Sequence, residues 1–142
     1  MEEEKIVVDA SVVVKWFLEE EYSAEALRIR DDYVRGVVEI AVPSLLEYEV
    51  LNALRYSRVY SVEELEEAAI ALNRFGFERY ELEDELKTLA VRIAERDNIT
   101  VYDAAYVALA ERLDTILYTA DMELVRKFPG RVLHVREYGR KA

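Results

Sequence analysis

Cysteine is absent from the 142-residue chain, so disulfides, zinc–thiolate centres and thiol nucleophiles are excluded outright. Glutamine is absent too, asparagine occurs only at Asn52, Asn73 and Asn98, and Glu, Arg and Tyr are abundant. Avoidance of thermolabile side chains together with a surplus of ionic ones is the bias of hyperthermophile proteins. Only four glycines and two prolines interrupt the chain. Neither a flexible linker nor an internal repeat appears, so residues 1–142 read as one domain. No apolar run approaches the roughly 20 residues that a membrane span needs. The opening Met1-Glu2-Glu3-Glu4-Lys5 is acidic where a signal peptide is basic. The expected location is therefore cytoplasmic, with no membrane partner. Positive charge is also in deficit: 19 basic residues face 30 acidic ones, a net charge of −11. That balance argues against a protein that coats DNA or binds membrane surfaces generally, because both depend on excess Lys and Arg. It leaves room for an acidic site that holds a metal.

What is present indicates a soluble α/β domain, with 52% hydrophobic residues to form a core. Residues 5–9 contain the β-branched run Ile6-Val7-Val8 and predict a buried strand ending in Asp9. A helix is expected over 12–18 with Ser11 as its cap, and another over 23–35 capped by Ser23. Residues 39–42 predict a second strand, stopped by Pro43. Ser44 is expected to cap a helix running to about residue 56. Ser61 and Glu64 form a capping-box pattern for a helix to about residue 73, which Gly76 breaks. Long helices are expected over 81–97 and 102–113, a strand over 115–119, a short helix over 122–127 and a last strand over 131–135. Residues 77–80 are open to a further short strand. Strands alternating with helices mean an α/β fold with a mainly parallel sheet.

In such sheets functional groups gather beyond the carboxyl ends of the strands. Asp9 ends the first predicted strand and Asp121 lies just past the strand over 115–119. Either could simply form a turn or cap a helix. Asp103 sits in the first turn of its helix, where the helix dipole stabilises an acid. Helical spacing aligns it with Val107 and Ala110, so its face is partly buried, and an acid there wants a cation. The helix after Ser44 offers Glu47 and Glu49, which flank the apolar face of Leu46, Val50, Ala53 and Leu54 on opposite sides. Periodicity does not choose between them.

This set resembles the PIN-domain family, and within it the VapC-type toxins of prokaryotic toxin–antitoxin pairs. Val8-Asp9-Ala10-Ser11-Val12 resembles the family's opening motif, an acid at a strand end followed by a small hydroxyl residue. Pro43-Ser44-Leu45-Leu46 leading into Glu49-Val50-Leu51-Asn52 resembles its second, and by this likeness the family's glutamate falls on Glu49. The segment from Tyr102-Asp103-Ala104-Ala105-Tyr106 to Ala110 resembles the third, and Thr119-Ala120-Asp121 the fourth. The likeness runs from residue 6 to about 135 and leaves 58–98 without a motif.

The resemblance implies a three-layer α/β/α sandwich and an endoribonuclease, dependent on Mg²⁺ or Mn²⁺, that cuts single-stranded or loop RNA. It also implies a toxin held by a cognate antitoxin protein and a homodimer. Asp9, Glu49, Asp103 and Asp121 are then the metal-holding and catalytic acids, with Ser11, Asn52 and Thr119 orienting carboxylates or waters around them. The residue chemistry is compatible, since hard carboxylate oxygens suit Mg²⁺ or Mn²⁺ and a chain with one His and no Cys disfavours zinc. A rival reading is a binding module of the same fold with weak or no nuclease activity, its acids serving structure or docking. The second acid that haloacid-dehalogenase-like phosphatases need two residues after the first is missing, since Ser11 stands there. His134 reads as a satisfied strand-end histidine, and Trp16 and Phe17 as core or as aromatics near Asp9 able to stack on a base.

The charge is unevenly spread. Residues 126–142 hold Arg126, Lys127, Arg131, Arg136, Arg140 and Lys141 against Glu137, a local +5, which leaves −16 on residues 1–125. Two readings stay open: a solvated basic end, or one phosphate-contacting edge on an otherwise repelling surface.

Overall fold

The computed structural model describes residues 4–139. Five strands, β1 (Glu4–Val8), β2 (Val38–Pro43), β3 (Glu78–Tyr80), β4 (Leu117–Thr119) and β5 (Val132–His134), form one sheet in the order β3-β2-β1-β4-β5, every pair parallel. Seven helices join them: α1 (Ala10–Val14), α2 (Ser23–Val34), α3 (Leu46–Ser57), α4 (Val62–Phe75), α5 (Asp84–Asp97), α6 (Val101–Arg112) and α7 (Met122–Lys127). Residues 135–137 add a turn of 3₁₀ helix after β5.

Successive side chains on a strand point to opposite faces. Ile6, Val7 and Val8 on β1 are all fully buried, as are Ile40, Ala41 and Val42 on β2 to within 1% exposure. Both faces of the sheet are therefore covered, and the fold is a three-layer α/β/α sandwich, as expected. Helix α2 packs on β2, while α6 packs across β1, β2 and β4 with α5 outside it. Ala104 to Ala110 on α6 are buried without a break, so the middle of this helix has no solvent face. Four alanines let it lie between the sheet and α5.

Several element ends differ from the sequence reading, each for a local reason. Asp9, not Ser11, caps α1, because the Asp9 carboxylate reaches back to the Ser11 amide. Helix α3 starts at Leu46 and Ser44 is not its cap; the Ser44 amide instead donates to the Tyr80 carbonyl, extending the β2–β3 pairing. Ser23 is the first residue of α2 rather than its cap, and its hydroxyl bonds Glu20 N and Leu18 O. Helix α5 begins at Asp84, leaving residues 78–80 to pair with β2 as the short edge strand that the sequence left open. The capping box of Ser61 and Glu64 forms as expected.

Strand order positions the site. From β1 the chain moves outward through β2 to β3, then crosses back to β4 and leaves the other way to β5. The switch point lies between β1 and β4, where the crevice beyond the strand ends is open to a ligand.

Candidate active site

Asp9 follows β1 and Thr119 ends β4, and parallel pairing of Val8 with Tyr118 brings them side by side. The Asp9 side chain is only 7% exposed. Its two oxygens are separately held: Ser11 Oγ donates to Oδ1 at 2.5 Å and Thr119 Oγ1 donates to Oδ2 at 2.5 Å. Each hydroxyl also accepts a backbone amide, Ser11 from Ala120 at 2.9 Å and Thr119 from Asp121 at 3.1 Å. A hydroxyl that accepts a fixed N–H must turn its proton elsewhere, so both protons are aimed at Asp9. This interlock explains why a small hydroxyl residue stands two places after the first acid and two before the last.

Burial pushes the Asp9 carboxyl up to about 6, Ser11 and Thr119 pull it back, and Asp103 raises it further. Asp103 is half-buried in the first turn of α6, whose cap Thr100 accepts its amide at 3.0 Å. Burial and then Asp121 raise the Asp103 carboxyl. Asp121 caps α7, accepting the amides of Glu123 and Leu124 at 2.9 and 3.4 Å. Glu49 is raised first by burial and also by Asp103, while the Tyr106 hydroxyl, donating at 2.5 Å, lowers it. Asp103 thus lies within electrostatic reach of Asp9, Glu49 and Asp121, and the four acids share one end of the sheet.

The two glutamates of α3 separate clearly. Glu47 pairs with Arg79 on β3, whereas Glu49 faces Tyr106 and Asp103. Asn52, three residues after Glu49 on α3, is exposed and lines a groove between α3 and α4 with Tyr48, Leu51 and Val62. Tyr106 is the functional residue the sequence reading missed. It is 1% exposed, and its own ionisation is pushed far up by burial and by Glu49. Its place three residues after Asp103, on the same side of α6, is the signal that points to it.

All the donors are hard oxygens. Among the described residues, the groups that shift Asp9, Glu49 and Asp103 are neutral donors and other carboxylates. That donor set fits Mg²⁺ or Mn²⁺. Among the described residues no three acidic or imidazole side chains close on a common cation position. Each carboxylate is tied to its own neighbour, and like charges repel.

The other sequence features fall to structural roles. Trp16 is core, stacked edge-on to Phe75 and donating to the Ala26 carbonyl at 2.8 Å. His134 is 3% exposed and accepts the Arg136 amide, as a satisfied strand-end residue does. In the basic segment Arg131 is occupied by the carbonyl of Thr115 and by Asp114, and Arg136 by Glu137. Arg140 and Lys141 lie outside the described residues.

A doubly wound, all-parallel α/β fold with acids at its switch point defines a class of open-sheet proteins whose ligands bind beyond the strand ends. Residues 6–128 match the PIN domain, and the chain belongs to that family. It is 36% identical over 133 residues to Ribonuclease VapC3 of Pyrobaculum aerophilum, covering 90% of this chain and 98% of that protein. It is 34% identical over 129 residues to Ribonuclease VapC1 of Mycobacterium tuberculosis, covering 85% and 89%. The crystal structure of PAE2754 from Pyrobaculum aerophilum superposes with a TM-score of 0.66 at 27% identity, over 94% of this chain and 85% of that one.

Proposed function

We propose that this protein is a divalent-metal-dependent endoribonuclease that cuts single-stranded or loop RNA, the toxin of a toxin–antitoxin pair. The observation that carries the reading is Asp9: a buried carboxylate, clamped on both oxygens, beside a second acid and at the switch point. The likeness to two ribonucleases supports the choice of RNA as substrate. Asp9, Glu49, Asp103 and Asp121 would hold Mg²⁺ or Mn²⁺, directly or through water. When bound, the cation supplies an activated water and charge stabilisation at the scissile phosphate. The chain's own residues supply position. Ser11 and Thr119 keep the Asp9 carboxylate from turning, Tyr106 orients Glu49, and Thr100 fixes the turn that carries Asp103. A cognate antitoxin inserting a basic side chain among these acids, and a homodimer, belong to the same reading.

Asp9→Asn should abolish Mg²⁺- or Mn²⁺-dependent cleavage of single-stranded RNA while the protein stays folded. Glu49→Gln should be inactive and Glu47→Gln active, since Glu47 is engaged with Arg79. Mn²⁺ affinity measured by calorimetry should collapse with Asp9→Asn. Cleavage by Asp9→Asn at the parent's rate would refute the assignment. An RNA left intact by a parent with full metal occupancy would favour the binding-module reading instead.

A further inference from the structure

Beside the acids, on the side of α7, lies a cleft of about 390 Å³ whose wall includes the carboxylates of Asp103, Asp121 and Glu123. Its size falls in the range of small-molecule pockets, roughly 300–1,000 Å³. Ile99 provides apolar surface above the buried Leu124, and Asn98 and Thr100 provide an amide and a hydroxyl. Lys127 is its cation. The Lys127 ammonium donates to the carbonyls of Asp97 and Asn98 at 2.9 and 3.2 Å, across the C-terminal end of α5. An ammonium has three protons; among the described residues these two bonds occupy two of them. The lysine is thus pinned in place with one donor left, and it does not have to be ordered when an anion arrives. Of the described basic residues that could form a phosphate-contacting edge, Arg131 and Arg136 are otherwise engaged, Arg126 is exposed on α7 outside the cleft lining, and Lys127 lines the cleft that adjoins the acids.

We infer that this cleft is a nucleotide subsite: it takes one nucleotide of a single RNA strand next to the scissile phosphate, its base against Ile99 and its phosphate on Lys127. The inference rests on the nuclease reading for the identity of the strand. It accounts for how so acidic a molecule can hold RNA, with one fixed cation beside the metal-holding acids rather than a basic face. Asn98 stands at the mouth of the cleft in a left-handed conformation, φ 53°, where its amide can meet a base edge.

The test is direct binding, by fluorescence anisotropy in Mg²⁺, of a labelled single-stranded 2′-O-methyl phosphorothioate RNA that resists cutting. Lys127→Met should weaken binding about tenfold and reduce the dependence on log salt by about 0.7, the share of one phosphate on a single strand. Lys127→Arg should restore binding to within about threefold of the parent, and Arg30→Met on α2 should leave it unchanged. Asn98→Asp keeps a residue that accepts the left-handed backbone but puts a negative charge at the mouth. It should also weaken binding, and it decides the matter if Lys127→Met does not fold. Parent-like binding by both variants overturns the subsite, as does a weaker Lys127→Met with an unchanged salt slope. So does a parent that cuts RNA yet shows no affinity for the strand. A parent that binds through Lys127 but does not cut RNA in Mn²⁺ supports the subsite and refutes the nuclease reading.

Discussion

At the scale of single residues, Asp9 sets a conflict between stability and function. Its carboxyl lies at about 6 in the folded chain against 3.8 for an ordinary aspartate. A carboxyl raised on folding favours the protonated native state, so its contribution is fully present below the unfolded value and is lost as pH rises through the folded one. At about 1.4 kcal/mol per unit, this one residue costs the metal-free protein about 3 kcal/mol between about pH 4 and pH 7. Urea denaturation in EDTA should show the parent losing that much more stability over this window than Asp9→Asn; equal losses would contradict it. The same ionisation should govern activity. At low Mg²⁺, cleavage should rise with pH through about 6, and saturating metal should move the midpoint down, because proton and cation compete for one carboxylate.

At the scale of elements, α6 is the part on which the site depends. It is buried all round from Ala104 to Ala110, it carries Asp103 at its first turn, and through Tyr106 it grips Glu49 of α3. Tyr106→Phe keeps the ring's packing and removes one hydrogen bond to a carboxylate. The expected loss at neutral pH is about 1.5–3 kcal/mol, read from denaturant midpoints. It should shrink as the solution is made acidic and Glu49, raised by burial, takes up its proton, so that the bond is no longer charge-assisted. A loss independent of pH would mean that the hydroxyl serves packing alone. The elements also show what local pattern can and cannot convey. The capping box at Ser61 and Glu64 was legible because it closes within one turn. The caps at Ser11 and Ser44 were misread because Asp9 reaches the amide first and because the Ser44 amide is engaged by β3, which lies 36 positions on. Periodicity left Glu47 and Glu49 equivalent; Arg79 on β3 and Tyr106 on α6, both distant in sequence, make them different.

At the scale of the whole molecule, the net charge of −11 and the cluster of four acids predict a protein tuned to bind divalent cations. Mn²⁺ at about a hundred times its dissociation constant should add about 2.7 kcal/mol, a rise in melting temperature of about 6–10 °C for a chain of this size. EDTA should reverse it, and Asp103→Asn, which removes the acid coupled to the other three, should abolish it. A melting temperature indifferent to metal would place the acids in a structural role. No helix among the described residues is long and apolar enough to cross a membrane, in keeping with the short apolar runs of the sequence.

The sequence by itself determined the alternation of strands and helices, the acids at the ends of β1 and β4 and the one in the first turn of α6. These follow from β-branched runs, capping and helical spacing, which act between residues a few positions apart. The absence of Cys and the surplus of carboxylates likewise pointed to oxygen as the donor for a metal and disfavoured zinc. Only the tertiary structure decided the strand order that creates the switch point, the clamp of Asp9 by Ser11 and by Thr119, 110 positions away, and the pairing of Glu49 with Tyr106. It also put Lys127 in a cleft with Asp103 and Asp121. Such contacts depend on which surfaces the packed sheet brings together, and hydrogen bonds between distant residues leave no periodic trace along the chain.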